Sequence, residues 1–201
     1  MKVIGLTGGI GSGKSTVAQF LEELGAIILD VDKVGHEALK PGSEAWERVV
    51  SAFGKSILTV SGDIDRAKLG KLVFNNHKAR MRLNHITHPI IYNMVNARLE
   101  EFRRQGVKVA VLEIPLLLET GLTDQVDEIW VVVAPEAAVL DRLSARTGYS
   151  EEAARARIRT QLTNEERIKH ADIVIDTDGS LDELKARVAV LWYKLQARSE
   201  G

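Results

Sequence analysis

The sequence predicts an α/β protein built on a five-stranded parallel sheet. Three observations carry that expectation: five short apolar runs, helical patterns between them, and a glycine-rich stretch joining the first run to the first helix. The runs are Lys2 to Thr7, Ala26 to Asp30, Val107 to Ile114, Glu128 to Ala134 and Asp172 to Asp176. Several are rich in Val and Ile on both faces, as in a parallel sheet covered by helices on each side.

The first run passes into Gly8-Gly9-Ile10-Gly11-Ser12-Gly13-Lys14-Ser15-Thr16. Gly8, four residues and then Gly13-Lys14-Ser15 form the phosphate-loop pattern, between a strand and a helix as that pattern requires. Glycines let successive backbone N–H groups turn toward an anion without Cβ obstruction, and the helix start adds the positive end of its dipole. Gly8, Gly9, Gly11, Ser12, Gly13 and Thr16 are therefore expected to cradle nucleotide phosphates. Lys14 is expected to bridge the β- and γ-phosphates, and Ser15 to offer its hydroxyl to Mg²⁺.

Val17, Phe20, Leu21 and Leu24 then recur at helical spacing, and Gly25 ends the helix. The second run ends in Asp30-Val31-Asp32. Ligands of doubly wound sheets sit beyond the carboxyl ends of the strands, and alternation along extended chain puts both carboxylates on one side. Asp32 is the candidate for orienting an acceptor hydroxyl and taking its proton, and Asp30 for lying close to Mg²⁺, unless either caps the next helix.

Roughly 75 residues separate the second and third runs, far more than a crossover helix needs. They are expected to form a subdomain with helices near Ala45–Phe53, Arg66–Phe74, Lys78–His85 and Pro89–Arg104, punctuated by Pro41-Gly42, Gly54 and Ser61-Gly62-Asp63. His88-Pro89 reads as a helix start with the histidine at the substrate cleft or satisfied in the fold.

Glu113, on the third run, stands where an acidic residue near the metal is expected. In Pro115-Leu116-Leu117-Leu118-Glu119 the leucines are either core or an apolar substrate wall. From Pro135 to about His170 runs a second insertion, an arginine-rich helical pair broken at Thr147-Gly148-Tyr149-Ser150. Arg142 and Arg146, four apart on one helical face, can present two guanidiniums to one triphosphate, while several of the six arginines Arg142, Arg146, Arg155, Arg157, Arg159 and Arg167 are expected to be surface residues pairing with Glu151, Glu152, Glu165 and Glu166. The last helix opens with a Ser180/Glu183 capping box, followed by Leu181, Leu184, Val188, Leu191 and Leu195 as its apolar stripe.

Composition narrows the function classes. The 201 residues, 45% hydrophobic, suffice for one core. With no cysteine, a disulfide framework and thiolate metal sites are excluded. No apolar run approaches the ~20 residues that span a bilayer, so a soluble cytoplasmic protein without a membrane partner is expected. A net charge of -1 argues against broad nucleic-acid binding. Residues 36–104 nevertheless carry twelve Lys/Arg against seven Asp/Glu, a solvated helical surface or an anionic-ligand face.

No Asn-Lys-x-Asp segment reads guanine, and Asp176-Thr177-Asp178-Gly179 follows the last strand, where it cannot sense a γ-phosphate. The large insertion and the arginines instead suggest a small kinase whose lid closes over ATP. Another small-molecule or nucleotide kinase and a nucleotide-binding switch stand as alternatives.

In order along the chain, GLTGGIGSGKS (5–15), DVD (30–32), Pro41-Gly42, Ile64-Asp65-Arg66, Val73-Phe74, His88-Pro89, PLLLE (115–119), Arg142 with Arg146 and Gly148, RIRTQ (157–161) and Ala171-Asp172 to Gly179 occur together. In this ordered set the sequence resembles the bacterial dephospho-coenzyme A kinases. The resemblance implies a three-layer P-loop kinase fold with a core from 1–35, 105–135 and 166–201. It adds a helical insertion at 36–104 for the CoA substrate, and a lid at 136–165. It implies ATP-dependent phosphorylation of the ribose 3′-hydroxyl of dephospho-CoA, with Mg²⁺, by a monomer or weak homo-oligomer. Lys14, Asp32 and Arg142 would be catalytic; Arg146 and Gly179 would join the loop at ATP; His88, Pro115, Leu116 and Leu117 would lie against the acceptor. An Asn is expected near 177 or 178, and Thr177-Asp178 stands there instead, which touches the adenine contacts.

Overall fold

A computed structural model describes residues 1–74, 76–120 and 122–199, with only the backbone of 119, 120 and 199. In chain order the elements are β1 (Lys2–Gly8), α1 (Lys14–Glu23), β2 (Ile27–Asp30), α2 (Val31–Ala38), α3 (Glu44–Phe53), α4 (Arg66–Phe74) and α5 (His77–Arg104). There follow β3 (Val109–Glu113), α6 (Leu117–Thr120), β4 (Glu128–Val133), α7 (Glu136–Thr147), α8 (Glu151–Ile158), α9 (Asn164–Ile168), β5 (Ile173–Asp176) and α10 (Leu181–Ser199). By internal contacts the chain divides into two compact units, Met1–Asp30 with Phe102–Gly201, and Val31–Glu101.

The first unit is organised by a sheet of order β2-β3-β1-β4-β5 in which every pairing is parallel. β1 lies in the middle, and the chain moves to one side of it for β2 and β3 and to the other for β4 and β5. That reversal opens a crevice at the carboxyl end of β1, where the glycine-rich loop begins. Alternation along β1 explains the layers. Ile4 and Leu6 face Val17 and Leu21 of α1 and Val188 and Trp192 of α10. Gly5, on the other face, admits Leu117 of α6, whose Cδ2 would stand 2.7 Å from a Cβ added there. Each Ile, Leu or Val so buried contributes about 1.5–3 kcal/mol. Trp130 is fully buried, and its indole N–H donates to Glu128 Oε2 at 3.0 Å, so its one polar atom is satisfied.

The second unit closes its own apolar cluster. Val49, Ile57, Ile64 and Leu69 are buried, with Trp46, Phe53, Leu83 and Ile86 packed around them. A tight turn supports them: Thr59 N–H donates to the Asp63 carbonyl and Asp65 N–H to the Ile57 carbonyl, both at 2.8 Å. The Trp46 indole N–H donates to the Gly62 carbonyl at 3.0 Å.

Three readings of the sequence change. The helices expected at Lys78–His85 and Pro89–Arg104 are one, the 28-residue α5, with Pro89 inside it. Proline removes one helical hydrogen bond, but apolar residues on both sides of it, Leu83 and Ile86 before and the buried Val95 and Leu99 after, hold the helix continuous. Asp32 is not on extended chain, because α2 starts directly after β2; Val31, Val34 and Ala38 bury one helical face and put Asp32 in the first turn. In α10 Leu181 is exposed, and Trp192 completes the buried stripe of Leu184, Val188 and Leu195. The capping box is as expected, with Ser180 N–H donating to Glu183 Oε2 at 2.8 Å and Glu183 N–H to Ser180 Oγ at 3.2 Å.

Candidate active site

The loop between β1 and α1 is shaped by what its glycines exclude. A Cβ on Gly8 would stand 2.4 Å from the Val132 carbonyl oxygen and 2.7 Å from Ser12 Oγ, so only glycine fits. Gly13 is the left-handed N-cap of α1, at φ 88°, a conformation that costs a residue with a Cβ. Its carbonyl accepts from Thr16 and Val17 at 3.0 and 3.2 Å, and Ser12 N–H turns back to the Gly9 carbonyl at 3.2 Å. The start of α1 thus faces the loop with its unpaired N–H groups and dipole.

Glu113, at the carboxyl end of β3, gathers the next two residues. Its Oε1 accepts from the Ser15 hydroxyl at 2.9 Å and lies 3.7 Å from Lys14 Nζ. Asp30 is the register partner of Glu113 across β2 and β3, so both carboxylates lie on the sheet face that α1 covers. The structure therefore brings Lys14, Ser15, Asp30 and Glu113 to one end of the sheet.

A second group braces the loop. Arg142, in the middle of α7, donates through Nη1 to the Gly11 carbonyl at 3.2 Å and to Thr177 Oγ1 at 3.0 Å, and through Nη2 to the Thr177 carbonyl at 3.0 Å. Thr177 Oγ1 donates in turn to the Ser12 carbonyl at 2.8 Å. Ile10 packs against the buried cluster of Ala134, Val139, Leu143 and Ala154, and its N–H donates to Gln161 Oε1 at 2.8 Å. Gly179, at φ 102°, lies just beyond Thr177, where a Cβ would come within 2.6 Å of Glu183 Oε2.

The remaining candidates are scattered. Arg146 is exposed in the last turn of α7. Leu116 is exposed, whereas Leu117 takes the core alternative. The Pro115 carbonyl accepts from Thr7 Oγ1 at 3.2 Å and from Arg167 Nη1 at 3.3 Å. The side chain of Glu119 lies outside the described residues. Asp32 and His88 belong to the second unit, in the first turn of α2 and in mid α5, where burial pushes the His88 imidazole pKa down.

Among the arginines, Arg155 pairs with Glu136 and Glu151, and Arg157 stacks 4.4 Å from the Tyr149 ring centroid. Arg167 is fully buried, its Nε donating to the Leu162 carbonyl at 3.3 Å. The sequence assigns no role to Gln161 or Thr177, and it places Arg167 among arginines expected at the surface, whereas packing buries Arg167 on the Leu162 and Pro115 carbonyls. RIRTQ and the missing Asn near 177 were the only signals, and neither says what the side chains touch.

The residues fit a nucleotide and its cation. Ser12 Oγ is buried in the loop without a hydrogen-bond partner, the kind of group that a polyanionic ligand satisfies. The Ser15 hydroxyl and the Asp30 and Glu113 carboxylates are hard oxygen donors. Mg²⁺ uses one or two such protein oxygens and otherwise keeps waters and phosphates. Among the described residues no group of three or more His, Cys, Asp or Glu is placed to hold a metal ion.

A phosphate loop at the central strand of this parallel sheet, with carboxylates beside its lysine and serine, defines a P-loop kinase. A shikimate kinase from Acinetobacter baumannii shares the fold, with a TM-score of 0.57 at 15% identity over 98% of this chain and 94% of its own. A family profile described as dephospho-CoA kinase matches residues 2–183. A dephospho-CoA kinase from Carboxydothermus hydrogenoformans is 47% identical over 96% of this chain and 94% of its own length. The dephospho-CoA kinase structure from Campylobacter jejuni aligns with a TM-score of 0.74 at 29% identity, covering 99% of this chain and all of that one (100%). The chain belongs to the dephospho-CoA kinase family.

Proposed function

We propose that this chain transfers the γ-phosphoryl group of ATP to the ribose 3′-hydroxyl of dephospho-CoA, giving coenzyme A and ADP, with Lys14, Asp32 and Arg142 as the catalytic side chains. The observation that carries the reading is the loop from Gly8 to Thr16, with Lys14 and Ser15 already gathered at Glu113. Backbone N–H groups at the start of α1 hold phosphate oxygens, and Lys14 neutralises charge on the group in transfer. Ser15 and Asp30 would hold Mg²⁺, which supplies further neutralisation of the β- and γ-oxygens when bound. Asp32 accepts the proton of the attacking 3′-hydroxyl.

Arg142 acts from the lid at 136–165, with Arg146 and Gly179 completing the ATP site. Its guanidinium is fixed by Gly11 and Thr177, so in this arrangement it sets the shape of the loop that carries the phosphates. His88, Pro115 and the exposed Leu116 would lie against the acceptor, Leu117 being taken up by the core, and the basic 36–104 insertion would receive the acceptor pyrophosphate. The protein works on a small molecule in the cytoplasm, as a monomer or weak homo-oligomer and without nucleic acid. No described helix is long and apolar enough to cross a membrane.

The test is incubation with Mg·ATP and a panel of acceptors, followed by product mass. Dephospho-CoA is expected to gain one phosphate with stoichiometric ADP. Phosphorylation of a nucleoside monophosphate or shikimate, with dephospho-CoA untouched, would overturn the assignment.

A further inference from the structure

We infer that Gln161 is a positioning residue for the phosphate loop, holding its apex through Ile10 so that the loop presents its remaining N–H groups to ATP. The inference rests on the nucleotide reading of the loop, and it assigns a role to the last residue of the RIRTQ segment.

The loop satisfies most of its backbone internally or from one side. Ser12, Thr16 and Val17 donate to Gly9 and Gly13 carbonyls, and Arg142 and Thr177 take the Gly11 and Ser12 carbonyls. The Ile10 N–H lies at the apex, and its partner is a side chain 151 residues away, Gln161 Oε1 at 2.8 Å. A backbone N–H can only donate, so the amide oxygen is the atom that faces it. A Cβ on Gly9 would lie 3.6 Å from the same oxygen, ordinary van der Waals contact, so the amide lies directly against the loop backbone.

Gln161 is held on a fixed base. It ends a turn in which Thr160 and Gln161 N–H groups donate to the Arg157 and Ile158 carbonyls at 3.2 and 3.1 Å. Two residues on, Thr163 and Glu166 form a capping box that starts α9. Asn164 Nδ2 ties this turn to the Ala134 carbonyl past β4 at 3.2 Å, and Arg167 ties it to the Pro115 carbonyl past β3. The amide therefore extends from an anchor bound to the carboxyl ends of two sheet strands. Gln161 also lines, with Gly9, Ile10, Ser12 and Val139, a cavity of about 520 Å³. Truncating it leaves the Ile10 N–H facing open space rather than a collapsed core, so the loop loses its tether while the fold keeps its packing.

The contact is the same whether ATP is in its ground state or reacting, so its loss weakens nucleotide binding more than turnover. Gln161→Ala is expected to raise the ATP dissociation constant and KM about threefold to tenfold, the range set by one neutral hydrogen bond. Its kcat should stay within about twofold, and its KM for dephospho-CoA unchanged. Gln161→Glu keeps an acceptor oxygen but brings negative charge beside the phosphates, so it should weaken ATP more than Gln161→Ala, with adenosine unaffected.

Binding is read with a fluorescent ATP analogue in the absence of acceptor, beside the melting temperature. A failed transfer to dephospho-CoA by the wild type thus sinks the substrate reading alone. Unchanged ATP affinity in Gln161→Ala at an unchanged melting temperature overturns the proposal. So does a fall in melting temperature with ATP affinity intact, which marks Gln161 as merely structural.

Discussion

Replacing Thr177 with valine tests the brace beneath the phosphate loop. The swap keeps the shape of a side chain that is 3% exposed and removes only its hydroxyl. That hydroxyl donates to the Ser12 carbonyl at 2.8 Å and accepts from Arg142 Nη1 at 3.0 Å. Arg142 keeps the Gly11 and Thr177 carbonyls, so its charge is not left unpaired. The Ser12 carbonyl loses that donor. A bond to a charged donor is worth about 1.5–3 kcal/mol and an unmet buried carbonyl costs about 1–3 kcal/mol. Because Arg142 retains two of its three acceptors, the lower part of that range applies, about 2 kcal/mol. For a chain of this size that is a fall of about 4–8 °C in melting temperature. ATP affinity should fall with it, since the strut joins the loop to the segment after β5. Thr177→Ser keeps both bonds and loses one methyl, about 0.8 kcal/mol. Circular-dichroism melts and calorimetric ATP titrations of the two variants decide. A valine variant that melts with the wild type, or a serine variant that loses more than valine, would show that the methyl and not the hydroxyl matters.

Other outcomes follow from the same geometry. Asp32→Asn should lose most turnover while ATP affinity stays nearly unchanged, because its partner is the acceptor hydroxyl; an unchanged kcat in steady-state assays refutes that role. Lys14→Ala should lower kcat roughly 10²-fold or more, and a mild effect would mean that the lysine does not touch the transferred group. Glu166 accepts the Thr163 N–H, which holds its carboxyl below the usual glutamate value of 4.5. A depressed carboxylate stabilises the fold above its unfolded value, and that contribution disappears as pH falls through the folded one. Urea midpoints of wild type and Glu166→Gln should therefore differ at neutral pH and converge in acid; a gap constant with pH would contradict this.

The sheet was legible because each of its strands is a compact apolar run bounded by glycine, proline or charge, and the phosphate loop because its chemistry needs contiguous residues. α4 appears at its expected bounds, Arg66–Phe74, since its ends are marked locally. Where the reading of the chain failed, long-range packing decided. Pro89 looks like a helix start until Val95 and Leu99 are seen buried beyond it. Asp32 looks like part of a strand because Asp-Val-Asp alternates, yet Val31, Val34 and Ala38 bury as a helix. The brace was the least legible part. Nothing local distinguishes Arg142 or Arg167, which find backbone carbonyls, from Arg155, which pairs with surface glutamates. Gln161 and Thr177 act on residues more than a hundred positions away, a distance no periodicity reports.

The place of β1 in the sheet has a consequence for how the chain is made. It precedes the other strands of its sheet in the chain, and its neighbours come late: Lys2 pairs with Val109 and Ile4 with Glu128. At about 5–20 residues per second, both of its edges stay open for several seconds to tens of seconds. During that wait six of its seven residues, all buried in the finished sheet, form an unprotected strand of the kind that joins other chains. The Val31–Glu101 unit closes its cluster from its own residues and is complete in sequence before either partner strand exists. Biogenesis thus departs from the order of the chain: the insertion can mature while β1 still waits, and β1 gains its neighbours only with β3 and β4, leaving β5 alone to join the sheet afterwards.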